Sequence, residues 1–206
     1  MYAGFKDSII GYNESGTSIF TWSTHETKSH ITSIAGSKNT IFIADAGMRI
    51  VWSIDSTGHL LRNIGQKDPS KNIPGFIVSN PHMDMVTGQD GSLWVVNPGR
   101  HQIENYRHNG DLISFWGNYG VDIRGFCGCC NPVHLALLPD GSFVTSEKGL
   151  TRVKVYNQSG ILQSVVAEPL LFHPRAAGLD IAVNSYGIIY LLEAYEKKIR
   201  IFKKKE

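Results

Sequence analysis

His82 to Gly117 reads HMDMVTGQDGSLWVVNPG (82–99), QIENY (102–106), the turn Asn109-Gly110 and DLISFWG (111–117). An apolar strand, an Asp-Gly turn, a second apolar strand, a polar step, a third strand, another turn and a last strand follow one another in 36 residues. The same order recurs on both sides. Upstream it is ITSIAG (31–36), the turn Lys38-Asn39, TIFIADAG (40–47), RIVWSID (49–55), Thr57-Gly58 and HLLRNIG (59–65). Downstream it is VHLALLPDGSFVTSEKG (133–149), RVKVY (152–156), Ser159-Gly160 and ILQSVVA (161–167). A fourth copy, LDIAVNSYGIIYLLEAYEKKIRIFKKKE (179–206), stops after its third strand, and residues 1–24 read as the tail of an earlier copy.

The turn glycines Gly16, Gly58, Gly110 and Gly160 are separated by 42, 52 and 50 residues. That period fits one four-stranded antiparallel sheet per repeat with variable loops, and is too long for a leucine-rich or ankyrin unit. Composition points the same way, with 21 glycines, short runs of β-branched and aromatic residues, and 18% charged residues. No 3.6-residue stripe is long enough to predict a substantial helix. Alternation within strands is partial, as in FIA and WVV, which suits strands buried between neighbouring sheets. The predicted sheets span residues 30–66, 81–117, 132–167 and, with three strands, 178–206, after a partial one in 1–24; together they form a single domain, 1–206. MYAG aligns with the end of a second strand (compare IADAG, 43–47), so the expectation is that the start of that first sheet lies upstream.

These repeats resemble the NHL type of β-propeller, whose pattern couples an acidic or amide residue at the end of the second strand to a basic-apolar pair opening the third. The matching residues are Asp45 with Arg49-Ile50, Asn97 with Gln102-Ile103, Glu147 with Arg152-Val153, and Glu193 with Lys198-Ile199. More narrowly, GFCGCCNPVHLALLPDGSFVTSEKG (125–149) is similar to a group of largely uncharacterised bacterial NHL-repeat proteins that carry a C-G-C-C-N-P element. The resemblance implies an all-β, six-bladed propeller and an exported or periplasmic location. Against it, this chain supplies about four and a half blades, so the expectation is an incomplete six-bladed ring.

Function is less legible, because one propeller scaffold serves many chemistries. Cys127, Cys129 and Cys130 cluster in a glycine-rich loop, where three thiolates could hold a soft metal, pair as a disulfide, or remain thiols. A bridge from Cys127 to either neighbour is easier to form than one between adjacent cysteines. His134 is the nearest further ligand, but its alternation with Val133 and Leu135 places it in the following strand. In a propeller, Asp45, Asn97, Glu147 and Glu193 fall at equivalent positions, where they could ligate a divalent metal or cap their own turns. Asn97, Arg100, His101, Glu147, Lys148 and Arg152 form the candidate binding set, with Arg175 and His173 beside it, as a mixed-charge rim for an anionic or peptide ligand.

The sequence carries no G-x-S-x-G, H-E-x-x-H, P-loop or dinucleotide fingerprint. A net charge of +2 gives no electrostatic footprint for nucleic acid. No apolar stretch is long enough for a transmembrane helix, and no signal-peptide pattern is visible at the N-terminus. Two readings follow. One is a non-catalytic module that binds a protein, peptide or glycan through loops on one face, with no cofactor. The other is a metal-assisted lyase or lactonase-like enzyme using the strand-end carboxylates or the cysteine loop.

Overall fold

A computed structural model describes residues 1–79 and 81–204. Each repeat becomes one antiparallel meander. The first sheet holds β1 (Tyr2–Gly4), β2 (Ser8–Tyr12) and β3 (Ser18–Ser23). The second holds β4 (Ile31–Ser37), β5 (Thr40–Asp45), β6 (Ile50–Asp55) and β7 (Leu60–Ile64). The third comprises β8 (Met85–Thr87), β9 (Leu93–Asn97), β10 (Gln102–Tyr106) and β11 (Leu112–Trp116). The fourth comprises β12 (His134–Leu137), β13 (Phe143–Ser146), β14 (Val153–Tyr156) and β15 (Leu162–Ala167). The last has β16 (Asp180–Val183), β17 (Ile189–Glu193) and β18 (Lys198–Phe202).

The count of blades is therefore five, which corrects the expected incomplete six-bladed ring of about four and a half. The reason lies in β1. The sequence shows a hairpin of strands near 8–12 and 17–22 preceded by what aligns only as the end of a strand, and Tyr2–Gly4 is too short to show a period of its own. In the structure it pairs with β2 in the register Tyr2↔Gly11, Ala3↔Ile10 and Gly4↔Ile9, which completes a three-stranded sheet.

Contacts divide the chain into two units, residues 1–95 with 105–114, and 96–104 with 115–206. In the first unit, Ile9, Ile41, Ile43, Ile50, Trp52 and Ile54 form one apolar core, and Phe42, Val51, Ile64, Phe76, Met83, Met85, Leu93 and Tyr106 form another. Alternate residues of β5 thus bury on opposite sides, Ile41 and Ile43 in the first core and Phe42 and Ala44 in the second. A strand buried on both faces loses the polar alternation of a half-wet one. Full burial of a side chain such as Phe42 or Ile43 contributes about 1.5–3 kcal/mol. Side-chain hydroxyls tie neighbouring sheets together here: Thr32 donates to the Met83 carbonyl at 2.6 Å and Thr87 to that of Gly36 at 2.9 Å.

In the second unit, Val144, Val153, Val155, Phe172, Leu179, Ile181, Ile189 and Leu191 make the corresponding core. Buried Ser146 donates to the Leu179 carbonyl at 2.7 Å, joining β13 to the segment that opens the last sheet. On the far side of the fourth sheet, Trp116 packs against Phe143 and Tyr156 with ring centroids 5.3 and 5.0 Å away, and Phe126 lies 5.5 Å from Tyr156. The β14–β15 turn closes on Trp116 as well. Gly160 has φ +76°, and a Cβ there would sit 2.7 Å from three Trp116 carbons.

Gly160→Ala combines a left-handed backbone with a steric clash, and is expected to cost roughly 2–4 kcal/mol. Gly36→Ala, in β4 with no atom within 4 Å of the added carbon, is expected to be near neutral. Urea unfolding midpoints of the two variants check the contrast.

Candidate functional site

Each of the last four sheets carries an acid or amide at the end of its second strand, or in the fourth sheet one residue past it, and seven residues later the third strand offers that group a partner. Asp45 accepts from the Trp52 indole at 3.0 Å, and the Asn97 amide donates to Glu104 at 2.8 Å. Glu147 pairs with Lys154 at 2.8 Å, and Glu193 accepts from Arg200 at 2.6 Å. The spacing follows from the hairpin, whose register sets Asp45 opposite Ile50 and Glu193 opposite Lys198; two residues further on, the side chain returns to the same face.

The carboxylates also reach backward along the chain. Asp45 accepts from the His30 amide at 2.9 Å, Glu147 from the Cys127 amide at 3.1 Å, and Glu193 from the His173 amide at 2.9 Å. All three carboxylates are fully buried and clasp the segment that leads into their own sheet. Burial works to raise the Asp45 pKa, but the donors from His30, Ser29, Trp52 and Met48 outweigh it and hold the group below the ordinary aspartate value. In Glu193 burial is likewise outweighed by the His173 amide and by Arg200, and the pKa is lowered.

Around Glu147 the clasp grows into a buried ionic cluster. Arg152 donates from Nε to Oε1 at 3.0 Å and from Nη2 to Oε2 at 2.7 Å, a two-pronged pair with both side chains almost wholly out of water. Lys154, also fully buried, places Nζ 2.8 Å from Glu147 Oε1, 2.8 Å from the Gly125 carbonyl and 3.1 Å from that of Ile123. An ammonium has three donors, and three acceptors meet it. The same amine lies 4.8 Å from the Phe126 ring centroid and 5.2 Å from that of Tyr156. Burial pushes the Lys154 pKa down, against the pull of Glu147.

The segment being held is the cysteine loop. Its hairpin-like start is fixed by the Phe126 amide donating to Asn118 at 3.0 Å and by Asp122 accepting from the Arg124 and Gly125 amides at 2.7 and 3.2 Å. The carbonyls of residues 122 to 125 then turn inward. Arg152 reaches Asp122 and Gly125, Lys154 reaches Ile123 and Gly125, and the Tyr156 hydroxyl donates to Arg124 at 3.0 Å. Burial, with the Glu147 charge adding to it, raises the Tyr156 pKa and keeps the phenol as the donor this bond needs. At the loop's far end the Asn131 side chain donates to the Cys127 and Lys148 carbonyls and accepts from the Lys148 amide at 2.8 Å.

The sequence-derived set is thus partly assembled and largely committed to structure. Asn97, Glu147 and Arg152 are buried and bond to other side chains and to the loop backbone. Arg100 stays partly exposed, with Nε 3.1 Å from Gln102 Oε1 and 3.8 Å from Glu104 Oε1. His101 takes a left-handed backbone (φ +58°) and meets Tyr119 edge-on at 5.2 Å. Its Nδ1 is buried without a hydrogen-bond partner, and burial lowers the ring's pKa against the Asn131 backbone and Glu147. Lys148 is half-buried and held through its backbone. His173 stacks on Tyr195 at 4.2 Å, and Arg175 donates to the Tyr195 hydroxyl at 3.3 Å.

The sequence leaves the three cysteines open as metal ligands, a disulfide or thiols. Cys127 is half-buried, Cys129 exposed and Cys130 buried, and none is in a disulfide. His134 belongs to β12, with Nδ1 3.8 Å from Asp180. Among the described residues no group of three or more His, Cys, Asp or Glu side chains converges in a way that could hold a metal ion. The physical reason is visible at Glu147 and Glu193, whose oxygens are spent on cations and amides of the protein itself. Two open depressions of about 270 and 450 Å³ lie in the first unit, around His30 and Arg49 and around Arg107 and His108, and none of the candidate residues lines them.

Sequence reading missed Lys154, Tyr156 and Asn131. A signal existed for the first: RVKVY puts a lysine mid-strand, seven residues after Glu147, where the neighbouring copies carry Trp52, Glu104 and Arg200.

No family model and no curated protein matches the chain. Solved structures do. A protein of unknown function from Bacteroides caccae superposes with a TM-score of 0.63 at 14% identity, over 97% of this chain and 71% of that one. Virginiamycin B lyase from Staphylococcus aureus gives 0.65 at 14% identity, over 98% and 64%. The WD40 β-propeller domain of Doa1 gives 0.61 at 14%, over 97% and 58%. The chain therefore spans less than two thirds of the lyase and WD40 chains. At such identities the likeness shows the fold, an all-β propeller with four-stranded antiparallel blades. No helix among the described residues is long and apolar enough to cross a membrane.

Glu147→Gln leaves two buried cations without their counter-charge, and is expected to cost about 3–5 kcal/mol in urea unfolding. Exposed Glu168→Gln should stay within about 0.5 kcal/mol. Hydrogen exchange at the Cys127 amide should accelerate in the first variant and not in the second. For Asp45 the folded pKa lies below the unfolded one, so its contribution is complete above about pH 4 and fades as pH falls through the folded value. Asp45→Asn should therefore be less stable than the parent at pH 7 by about 1–3 kcal/mol. The gap should narrow in unfolding curves taken at successively lower pH.

Proposed function

We propose that this chain is a non-catalytic, NHL-type β-propeller module that binds a protein or peptide through the loops of its second unit. The observation that carries the reading is the division of labour among those loops. Their buried ions hold the backbone, while the side chains left outward are of the kind that dominates protein interfaces. Tyr119, Val121, Ile123, Leu150 and Tyr195 are 40–73% exposed. Arg124 and Arg175 stand among them, and tyrosine and arginine supply most anchoring contacts at interfaces. Short contacts tie these loops pairwise: His101 to Tyr119, Asn131 to Lys148, Thr151 to the Ala176 carbonyl at 3.1 Å, and Arg175 to Tyr195. A rigid floor with exposed aromatics lowers the ordering cost of binding.

A second reading, an enzyme, draws support from one feature, the buried and unpaired Nδ1 of His101 beside the loop. Its low tendency to protonate suits a general base. The metal-assisted form of that reading, through Asp45, Glu147, Glu193 or the cysteines, has no assembled ligand set among the described residues.

Peptides selected from a displayed random library on the immobilised chain test the module. Tyr195→Ala and Arg175→Ala should each weaken the selected binders at least tenfold, a loss of about 1.4 kcal/mol or more. Retention of glycans instead of peptides, or binders indifferent to these residues and to Tyr119→Ala, would refute it. Conversion of quinupristin, the compound bound in a structure of the inactive Staphylococcus aureus virginiamycin B lyase, by the purified chain, lost in His101→Ala, would establish the enzyme in its place.

A further inference from the structure

We propose that Cys129 and Cys130 form a dithiol site that exchanges with small disulfides, Cys129 attacking and Cys130 resolving. Their sulfurs lie 3.4 Å apart. Sequence alone favours a bridge to Cys127, since adjacent cysteines must close a small strained ring. The loop's anchoring reverses that preference. Cys127 is pinned through its backbone, its amide on Glu147 and its carbonyl by the Asn131 side chain, whereas the Cys129 and Cys130 sulfurs already face each other. Cys129 and Cys130 follow Gly128, which has φ +86° and turns the chain there.

Exposure assigns the order of events. Cys129 is exposed and meets reagents from solvent, whereas Cys130 is only 3% exposed and is shielded from them. In the first step the Cys129 thiolate attacks one sulfur of a low-molecular-weight disulfide. Its S–S bond breaks, one small thiolate leaves and takes up the proton that Cys129 gave, and a mixed disulfide remains on Cys129. In the second step the Cys130 thiolate attacks the Cys129 sulfur, and the second small thiol leaves with the remaining proton. The protein loses two electrons and two protons, and one small disulfide becomes two thiols. A strained product is readily reduced, which makes the pair reversible. The closed pair would stiffen the peptide next to Asn131, whose side chain holds Lys148 in the loop surface above. Oxidation state and loop surface are thereby linked through one residue.

The test uses the reduced chain and oxidised glutathione, followed by blocking of remaining thiols and peptide mapping. The expected product has lost two hydrogens, carries the blocking group on Cys127 alone, and returns to three thiols with a dithiol reductant. Cys130→Ser should stop with one glutathione on Cys129. Cys129→Ser should react at least tenfold more slowly, and Cys127→Ser as the parent does. A bridge that includes Cys127, or a glutathione adduct that persists on the parent chain, would overturn the proposal. Phenylarsine oxide, which needs two adjacent thiols, gives a readout that does not depend on any variant's folding. One equivalent should bind the parent and block the exchange, and failure to bind would count against the pair.

Discussion

The ammonium of Lys154 is the charge around which the second unit is arranged. A lysine in the middle of a buried strand is costly unless its charge is met and its donors are filled. Glu147 supplies the charge, and the carbonyls of Ile123 and Gly125 fill the other two donors. Those carbonyls belong to a loop with no strand partner along most of its length, so the lysine stands in for the ladder the loop lacks. Arg152 and Tyr156, from the same strand region, complete the set by taking the Asp122, Gly125 and Arg124 carbonyls. The cysteine loop is ordered because β14 is charged.

The same device recurs in lighter form at the second strands of the second and last sheets. Asp45 gathers five donors from the segment around Ser29 and from its own turn, and Glu193 joins His173 to Arg200. In each case one buried carboxylate joins the incoming segment to a donor seven residues further on in the third strand of its own sheet. This accounts for the pattern of acid at strand end and base or aromatic nearby without any ligand. It also explains why residues that look like a metal set in sequence serve as fasteners in space.

The sheets were legible because a two-residue period, turn glycines and apolar runs are local signals, repeated often enough to check one another. Gly58, Gly110 and Gly160 all lie at positive φ in the turns their spacing implied. Tyr2–Gly4 was legible only as a strand end, through the likeness of MYAG to IADAG, since three residues carry no period and its pairing with β2 is a fact of tertiary structure. The site was half legible. Glu147 and Arg152 stood out by type, but their roles depended on Lys154, Tyr156 and Asn131, which local pattern assigns to an ordinary strand and an ordinary turn. Contacts spanning 20 or more residues of chain, such as Lys154 to Ile123, leave no trace in periodicity.

Loops built from inward-facing carbonyls and a carboxylate commonly wrap a calcium or sodium ion. Here the protein provides the cation itself, tethered on a four-carbon arm and delivered by the same strand that the loop must recognise. A covalently attached counter-ion cannot diffuse away, needs no supply from the surroundings, and leaves a chelator nothing to remove. The order of the cysteine loop is in that sense inherited with the sequence, set at the moment β14 takes its place.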